Sequence, residues 1–287
     1  MKVALVSIND WSNLGYLLAK SLKSVGVDAV ATSRIKHVFG YPEQAEIWET
    51  EEDFHKYVDD ADVVVFMHSQ GIYFDWGDKD LFVFHTGTLY RENSRALRGA
   101  FSIVKGTIAN HYDFLEPGDH WLMRPIDTKS LQPEYRYKKL KFAHYPRHPE
   151  VNGYERVKSV VGKCGCNFIS STENVSWEDN IKRMSNCDIY IEQLAGHDTG
   201  MTSLEAASLG KVVITSFKGL ELYEKEYGKC ELLIANNEEE LEKQIKYVMD
   251  MNQGELKRKK KATRKWVETY HSFESIGKRF KEILINS

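Results

Sequence analysis

The residues of this chain best equipped for chemistry lie between Asp188 and Ser216, in the stretch DIYIEQLAGHDTGMTSLEAASLGKVVITS. An apolar strand from Asp188 to Glu192 runs into the loop Gly196-His197-Asp198-Thr199-Gly200-Met201-Thr202-Ser203. Leu204-Glu205-Ala206 then opens a helix, and Lys211 to Thr215 forms a second apolar strand. A helix N-terminus presents unpaired amides and the positive end of the helix dipole, which suits a phosphate without a metal. Gly196 and Gly200 let the backbone approach such a ligand closely. Glu205, on the first turn, has acceptors for two ribose hydroxyls. The plainer reading is a β-loop-helix with Ser203 as N-cap. The combination of strand, glycine loop, helix start and second strand favours a nucleoside diphosphate.

A second candidate lies in the first half. Phe82 to Thr88 reads as a buried strand running into a His85-Thr86-Gly87 loop. Ligands of open α/β sheets bind at the carboxyl ends of strands, so His85 is placed either to work on a substrate or to hydrogen-bond within its loop. The loop after the first strand, Asn9 to Gly15, has the single glycine Gly15 and offers Trp11 as a stacking platform for a sugar. There is no G-x-G-x-x-G and no P-loop, which disfavours a nicotinamide-dependent dehydrogenase. Arg91, Arg95 and Arg98 read as caps of a helix C-terminus, with binding of an anionic acceptor as the alternative. Asp78-Lys79-Asp80 precedes a strand instead of ending one, so it reads as a solvated turn and no metal ligands are expected. Cys164-Gly165-Cys166 lacks a second pair at zinc spacing. The Lys257–Lys261 run reads as a solvated helix face.

These residues need a scaffold, and the chain supplies one. Its 287 residues, 42% hydrophobic and 28% charged, suit two packed α/β domains. The net charge of −3 argues against a general affinity for nucleic acid. Residues 1–135 carry 13 basic against 20 acidic side chains, and residues 136–287 carry 26 against 22, so an anionic ligand belongs with the second half. No stretch approaches 18 apolar residues, and the N-terminal apolar run is too short for a signal peptide. A cytoplasmic protein with reduced thiols is the expectation.

Strands are expected over residues 1–8, 27–31, 62–67 and 81–84, with helices over 14–25 and 51–58 and a less clear alternation through 95–125. The pattern restarts after a polar stretch near 126–140. Strands follow over 140–144, 167–170, 188–192, 211–215 and 232–234. Helices lie between them, and a long helical region covers 238–251 and 255–284. Alternation of this kind implies doubly wound parallel sheets. The expected domains are 1–130, 138–268 and a C-terminal helix, 269–287, packing back on the first.

The segment from Asp188 to Ser216 resembles the nucleotide-binding signature of GT-B-fold retaining glycosyltransferases of the family 4 type. Three further stretches agree: Trp121–Pro133 resembles the crossover into the second domain, Phe142–Gly153 its first strand and loop, and Arg264–Leu284 the helical tail. The first half matches only in style. The resemblance implies two Rossmann-like domains facing across a cleft. It also implies that Arg147 and the amides near Thr202 and Ser203 stabilise a leaving diphosphate, and that His85 stands near the transferred sugar. Where the family carries an acidic residue against the sugar, this chain has His197 with Asp198 beside it. Where the family has a second basic group, it has Asn152.

The reaction so implied moves a sugar from a nucleoside diphosphate sugar to a glycan or other hydroxyl acceptor. Retention is expected, with no metal, no cofactor and no stable nucleic-acid partner. His85 and Arg147 are the catalytic candidates. Gly15, Arg147, His197, Asp198, Gly200, Met201, Thr202, Ser203 and Glu205 are the donor-binding ones. The His197 and Asn152 departures keep a non-catalytic nucleotide- or glycan-binding descendant open. A DNA-base glycosyltransferase and a sugar-nucleotide epimerase remain weaker alternatives.

Overall fold

The computed structural model describes residues 1–72, 75–133, 135, 140–194 and 196–287. Residues 136–139, inside the expected domain boundary, and Ala195, inside the glycine loop, lie outside the described residues. The chain forms two compact units, one of residues 1–125 with 271–287 and one of residues 126–270.

The N-terminal unit runs β1 (Lys2–Asn9), α1 (Leu14–Ser24), β2 (Asp28–Ile35), β3 (Glu46–Ile47), α2 (Glu51–Val58), β4 (Val63–Met67), β5 (Asp80–His85), α3 (Gly87–Ala100), β6 (Gly106–Ala109) and β7 (His120–Trp121). The strands pair in parallel in the order β3-β2-β1-β4-β5-β6-β7. Every residue of β4 is buried, as a parallel strand covered on both faces requires. Thr50 caps α2 by accepting the Asp53 N–H at 3.1 Å, and three acids in the first turn complement the dipole. The region read as a loose alternation after residue 95 begins inside α3. This helix breaks its geometry at Asn93 and buries only Tyr90.

The C-terminal unit runs β8 (Phe142–His144), α4 (Pro149–Asn152), α5 (Tyr154–Lys163), β9 (Phe168–Ser170), α6 (Trp177–Ser185), β10 (Ile189–Ile191), α7 (Met201–Ser208), β11 (Val212–Thr215), α8 (Leu220–Glu226), β12 (Leu233–Ile234), α9 (Glu238–Met249) and α10 (Gln253–Tyr270). Its parallel order is β12-β11-β10-β8-β9. Val157, Val160 and Val161 of α5 and Leu241, Ile245 and Val248 of α9 share one core with these strands.

The long helical region expected to Leu284 is two helices. His271 is fully buried and its Nδ1–H donates to the Arg124 carbonyl at 3.0 Å, which interrupts the run. Ser272 then caps α11 (Phe273–Asn286), accepting the Ser275 N–H at 3.3 Å. This last helix belongs to the N-terminal unit and packs on α1. A Cβ on Gly277 would land on the Ser21 carbonyl oxygen of α1. Gly277→Ala is therefore expected to lower stability by about 1–3 kcal/mol. That loss outweighs the roughly 1 kcal/mol that alanine gains over glycine in a helix. Urea denaturation checks it; an unchanged or raised midpoint would show that the helices can part freely. Among the described residues no helix is long and apolar enough to cross a membrane.

Candidate functional site

In the C-terminal sheet β8 lies between β9 and β10, so the order reverses between β8 and β10. The crevice beyond the carboxyl ends at such a reversal is where open α/β sheets bind ligands. The loop carrying Arg147 leaves β8 there, and the glycine loop leaves β10. Arg147 is exposed. His144, the last residue of β8, is fully buried and donates its Nδ1–H to the Ile191 carbonyl at 2.8 Å. Burial holds its pKa down at about 4, against the raising effect of that bond, so the ring is neutral at physiological pH. Asn152 has a defined task. Its Nδ2 donates to Gln193 Oε1 at 3.2 Å, and its carbonyl accepts the Leu194 N–H at 3.3 Å. Gln193 in turn donates to the Asp198 carbonyl at 2.7 Å. The residue standing where a second basic group was expected thus ties the two loops together.

The N-terminus of α7 holds a charge that the sequence reading missed. Glu192, only 8% exposed, accepts from the Gly200 N–H at 3.4 Å, the Thr202 hydroxyl at 3.3 Å, the Ser203 hydroxyl at 3.3 Å and the Thr215 hydroxyl at 2.9 Å. A carboxylate at this end of a helix is electrostatically favourable. A Cβ on Gly200 would strike the Glu192 carboxylate, so the glycine serves that contact. Of the donors expected to await a ligand between Gly200 and Ser203, Glu192 engages the Gly200 amide and the Thr202 and Ser203 hydroxyls, while the Ser203 amide bonds the Gly200 carbonyl at 3.2 Å. Its signal was the acid ending the apolar strand DIYIE, directly before the glycine loop. Met201, Thr202 and His197 are half-buried. Asp198 is buried, and its Oδ1 accepts the Thr199 N–H at 2.7 Å.

Glu205 also differs from expectation. It is 3% exposed, and its Oε1 accepts the Trp177 indole N–H at 2.7 Å. An open ribose acceptor is not what this conformation presents, because Trp177, at the start of α6, holds the carboxyl group inside. Burial pushes its pKa up to about 7, partly offset by the indole bond. The folded state therefore binds this proton more tightly than the unfolded chain does. The stabilisation is fully present below about pH 4.5 and is lost as pH rises through 7. Relative to Glu205→Gln, the parent should lose about 3 kcal/mol of unfolding free energy between those limits. Parallel pH-dependent denaturation curves for the two proteins would refute this.

In the N-terminal unit His85 ends β5 but is 1% exposed. Its Nδ1 pairs with the Ser69 hydroxyl at 2.9 Å, and its ring stacks on Tyr90 at 4.1 Å. Burial, with Arg98 adding to it, holds its pKa at about 4. The ring expected to face a sugar is covered, since Tyr90 and Ser69 enclose it. Gly15 is buried, and its N–H is taken by Asp10 Oδ1 at 2.7 Å rather than left for a phosphate. Asp80 pairs with Lys105 at 2.8 Å, and among the described residues no group of three or more His, Cys, Asp or Glu is placed to hold a metal. The lysine run on α10 is only partly a solvated face, because Lys260 is 1% exposed and bonds Asp188 at 2.5 Å.

No family model matches the chain, and neither does any curated protein. Solved structures do match it. Anabaena HepE in complex with UDP-glucose is similar at TM-score 0.70 and 14% identity, with 100% of each chain covered. A glycosyltransferase from Rickettsia africae is similar at TM-score 0.58 and 16% identity, covering 100% of this chain and 99% of that one. Sucrose-phosphate synthase from Thermosynechococcus elongatus is similar at TM-score 0.64 and 10% identity, with the same coverage. The chain thus has the GT-B fold of two Rossmann-like α/β units with a C-terminal helix.

Proposed function

We propose that this protein is a glycosyltransferase that takes a sugar from a nucleoside diphosphate sugar and passes it to an acceptor hydroxyl. The observation that carries the reading is the reversal between β8 and β10, where the exposed Arg147 and the α7 glycine loop leave adjacent strands. The likeness to HepE with UDP-glucose, over the full length of both chains, supports it.

In this reading Arg147 meets the diphosphate. As the bond from the anomeric carbon to the phosphate oxygen breaks, negative charge grows on the leaving group, and a guanidinium beside it lowers the barrier. The positive end of α7 acts on the same charge, although Glu192 consumes part of that potential. By the resemblance, His197 or the neighbouring Asp198 would meet the donor sugar. Glu205 reaches the ribose only if Trp177 swings away. His85 supports from beneath by fixing Ser69. The resemblance of the second half adds retention at the anomeric carbon and catalysis without a metal, so turnover is expected to survive EDTA.

A second reading, a nucleotide- or glycan-binding protein without turnover, is favoured by one observation, the occupation of the α7 N-terminus by Glu192. A thermal-shift panel of nucleoside diphosphates and their sugars tests the donor site, because a ligand that binds only the folded state raises its stability by mass action. At least one should raise the midpoint in the parent and fail to do so in Arg147→Glu. A flat panel would remove the donor site.

A further inference from the structure

Cys164 and Cys166, both half-buried, lie where α5 stops, and the way that helix stops draws them together. Cys164 is the C-cap. Gly165 follows with φ of 68°, a left-handed backbone that glycine adopts without strain. The Gly165 N–H donates to the Gly162 carbonyl at 3.2 Å, and the Cys166 N–H to the Val161 carbonyl at 3.4 Å. This pair of bonds is a Schellman stop, which folds the chain back over the last helical turn. The two cysteines thus flank one tight turn, and both pack on the core that α5 shares with α9.

A third sulfur comes from α9. The Cys166 thiol donates to the Met249 thioether at 3.5 Å. Met249 is 41% exposed, so solvent reaches the group. With metal–sulfur bonds of about 2.3 Å, an ion fits between two sulfurs at this separation without moving either. Burial pushes the Cys166 thiol up to about 11, Cys164 adding to the effect, and burial raises Cys164 as well. Both are therefore protonated at neutral pH, and only a metal with a strong preference for thiolate displaces their protons. Zinc in a structural site takes four ligands in a tetrahedron. Thiolate with thioether is the softer set that selects copper(I).

We propose that Cys164, Cys166 and Met249 form a binding site for a single soft metal ion, copper(I), held by two thiolates and a thioether. Two S–H bonds break, two copper–thiolate bonds form, and two protons leave, while the ion keeps its oxidation state. Helix α5 connects the carboxyl end of β8 to the amino end of β9, so its last turn stands at the pole opposite to the crevice beyond β8 and β10. The site is independent of the transfer reading. Its direct effect is to clip the end of α5 to the end of α9.

The test is anaerobic titration of the full chain with copper(I) in competition with the chelator bicinchoninate. The protein should retain one ion per chain, show thiolate-to-copper charge-transfer absorption in the ultraviolet, and gain thermal stability. Cys164→Ser and Cys166→Ser should each abolish retention, with the metal-free urea midpoint close to that of the parent. Met249→Leu, at an exposed position that does not threaten folding, should weaken affinity by at least about tenfold, the lower end of what even an outer partner of a metal ligand contributes. It keeps the proposal open to refutation should a serine variant fail to fold. No retained copper, or retention unchanged in Cys166→Ser or in Met249→Leu, overturns the site. Zinc held as tightly as copper(I) overturns the choice of metal.

Discussion

Lys260→Met is expected to cost the C-terminal unit about 3–5 kcal/mol, the usual loss when one member of a buried ion pair is removed. Lys260 is 1% exposed and bonds Asp188 Oδ1 at 2.5 Å, and the other carboxylate oxygen accepts the Lys141 N–H at 3.1 Å. Methionine fills the space of the lysine stem but leaves Asp188 with a single amide against its charge. Adding Asp188→Asn should restore part of the loss, because the stranded charge is then gone. The pair matters for the site because Asp188 opens the segment that ends in β10, whose far end releases the glycine loop. Arg264, one turn further along α10, donates to the carbonyls of Thr128, Leu131 and Ser208, so this face of the helix anchors the segment entering the unit and the end of α7. Urea denaturation checks the prediction; a loss below about 1 kcal/mol would mean that water reaches Asp188 without cost.

Arg147→Ala is expected to lower kcat by about 10²–10³-fold, the range seen when one charge-stabilising donor is lost from a transition state. Nucleotide affinity should fall far less, because the diphosphate carries more charge while leaving than while bound to its sugar. The residue is exposed, so folding should be unaffected. Equal losses in binding and turnover would make Arg147 a uniform anchor instead.

The sequence made the C-terminal unit readable because its chemistry is local. The strand from Asp188, the glycine loop and the LEA helix start follow one another, and each carries its own pattern. Four strands of the N-terminal unit, β1, β2, β4 and β5, were equally plain as apolar runs, whereas the short β3, β6 and β7 were not. The remainder depended on residues far apart in the chain. Trp177 covers Glu205 from 28 positions away, and Asp10 meets His68 across 58. Lys260 sits in a run of basic residues that reads as surface, yet its helix turns this one lysine inward onto Asp188. His85 was rightly assigned to a strand end, but no pattern revealed that Tyr90 would stack on it. Glu192 was legible as an acid and not as the group that would occupy a helix N-terminus.

The most direct test of the proposed transfer is product analysis on the full-length protein. It would be incubated with each common nucleoside diphosphate sugar, with and without an equimolar mixture of D-glucose, D-galactose and D-mannose, and the released nucleoside diphosphate quantified by chromatography. One donor should be consumed above the buffer rate, faster with hexose present and not measurably by Arg147→Ala. A donor that stabilises the protein yet is never cleaved under any of these conditions would contradict the transferase reading and leave a binding protein in its place.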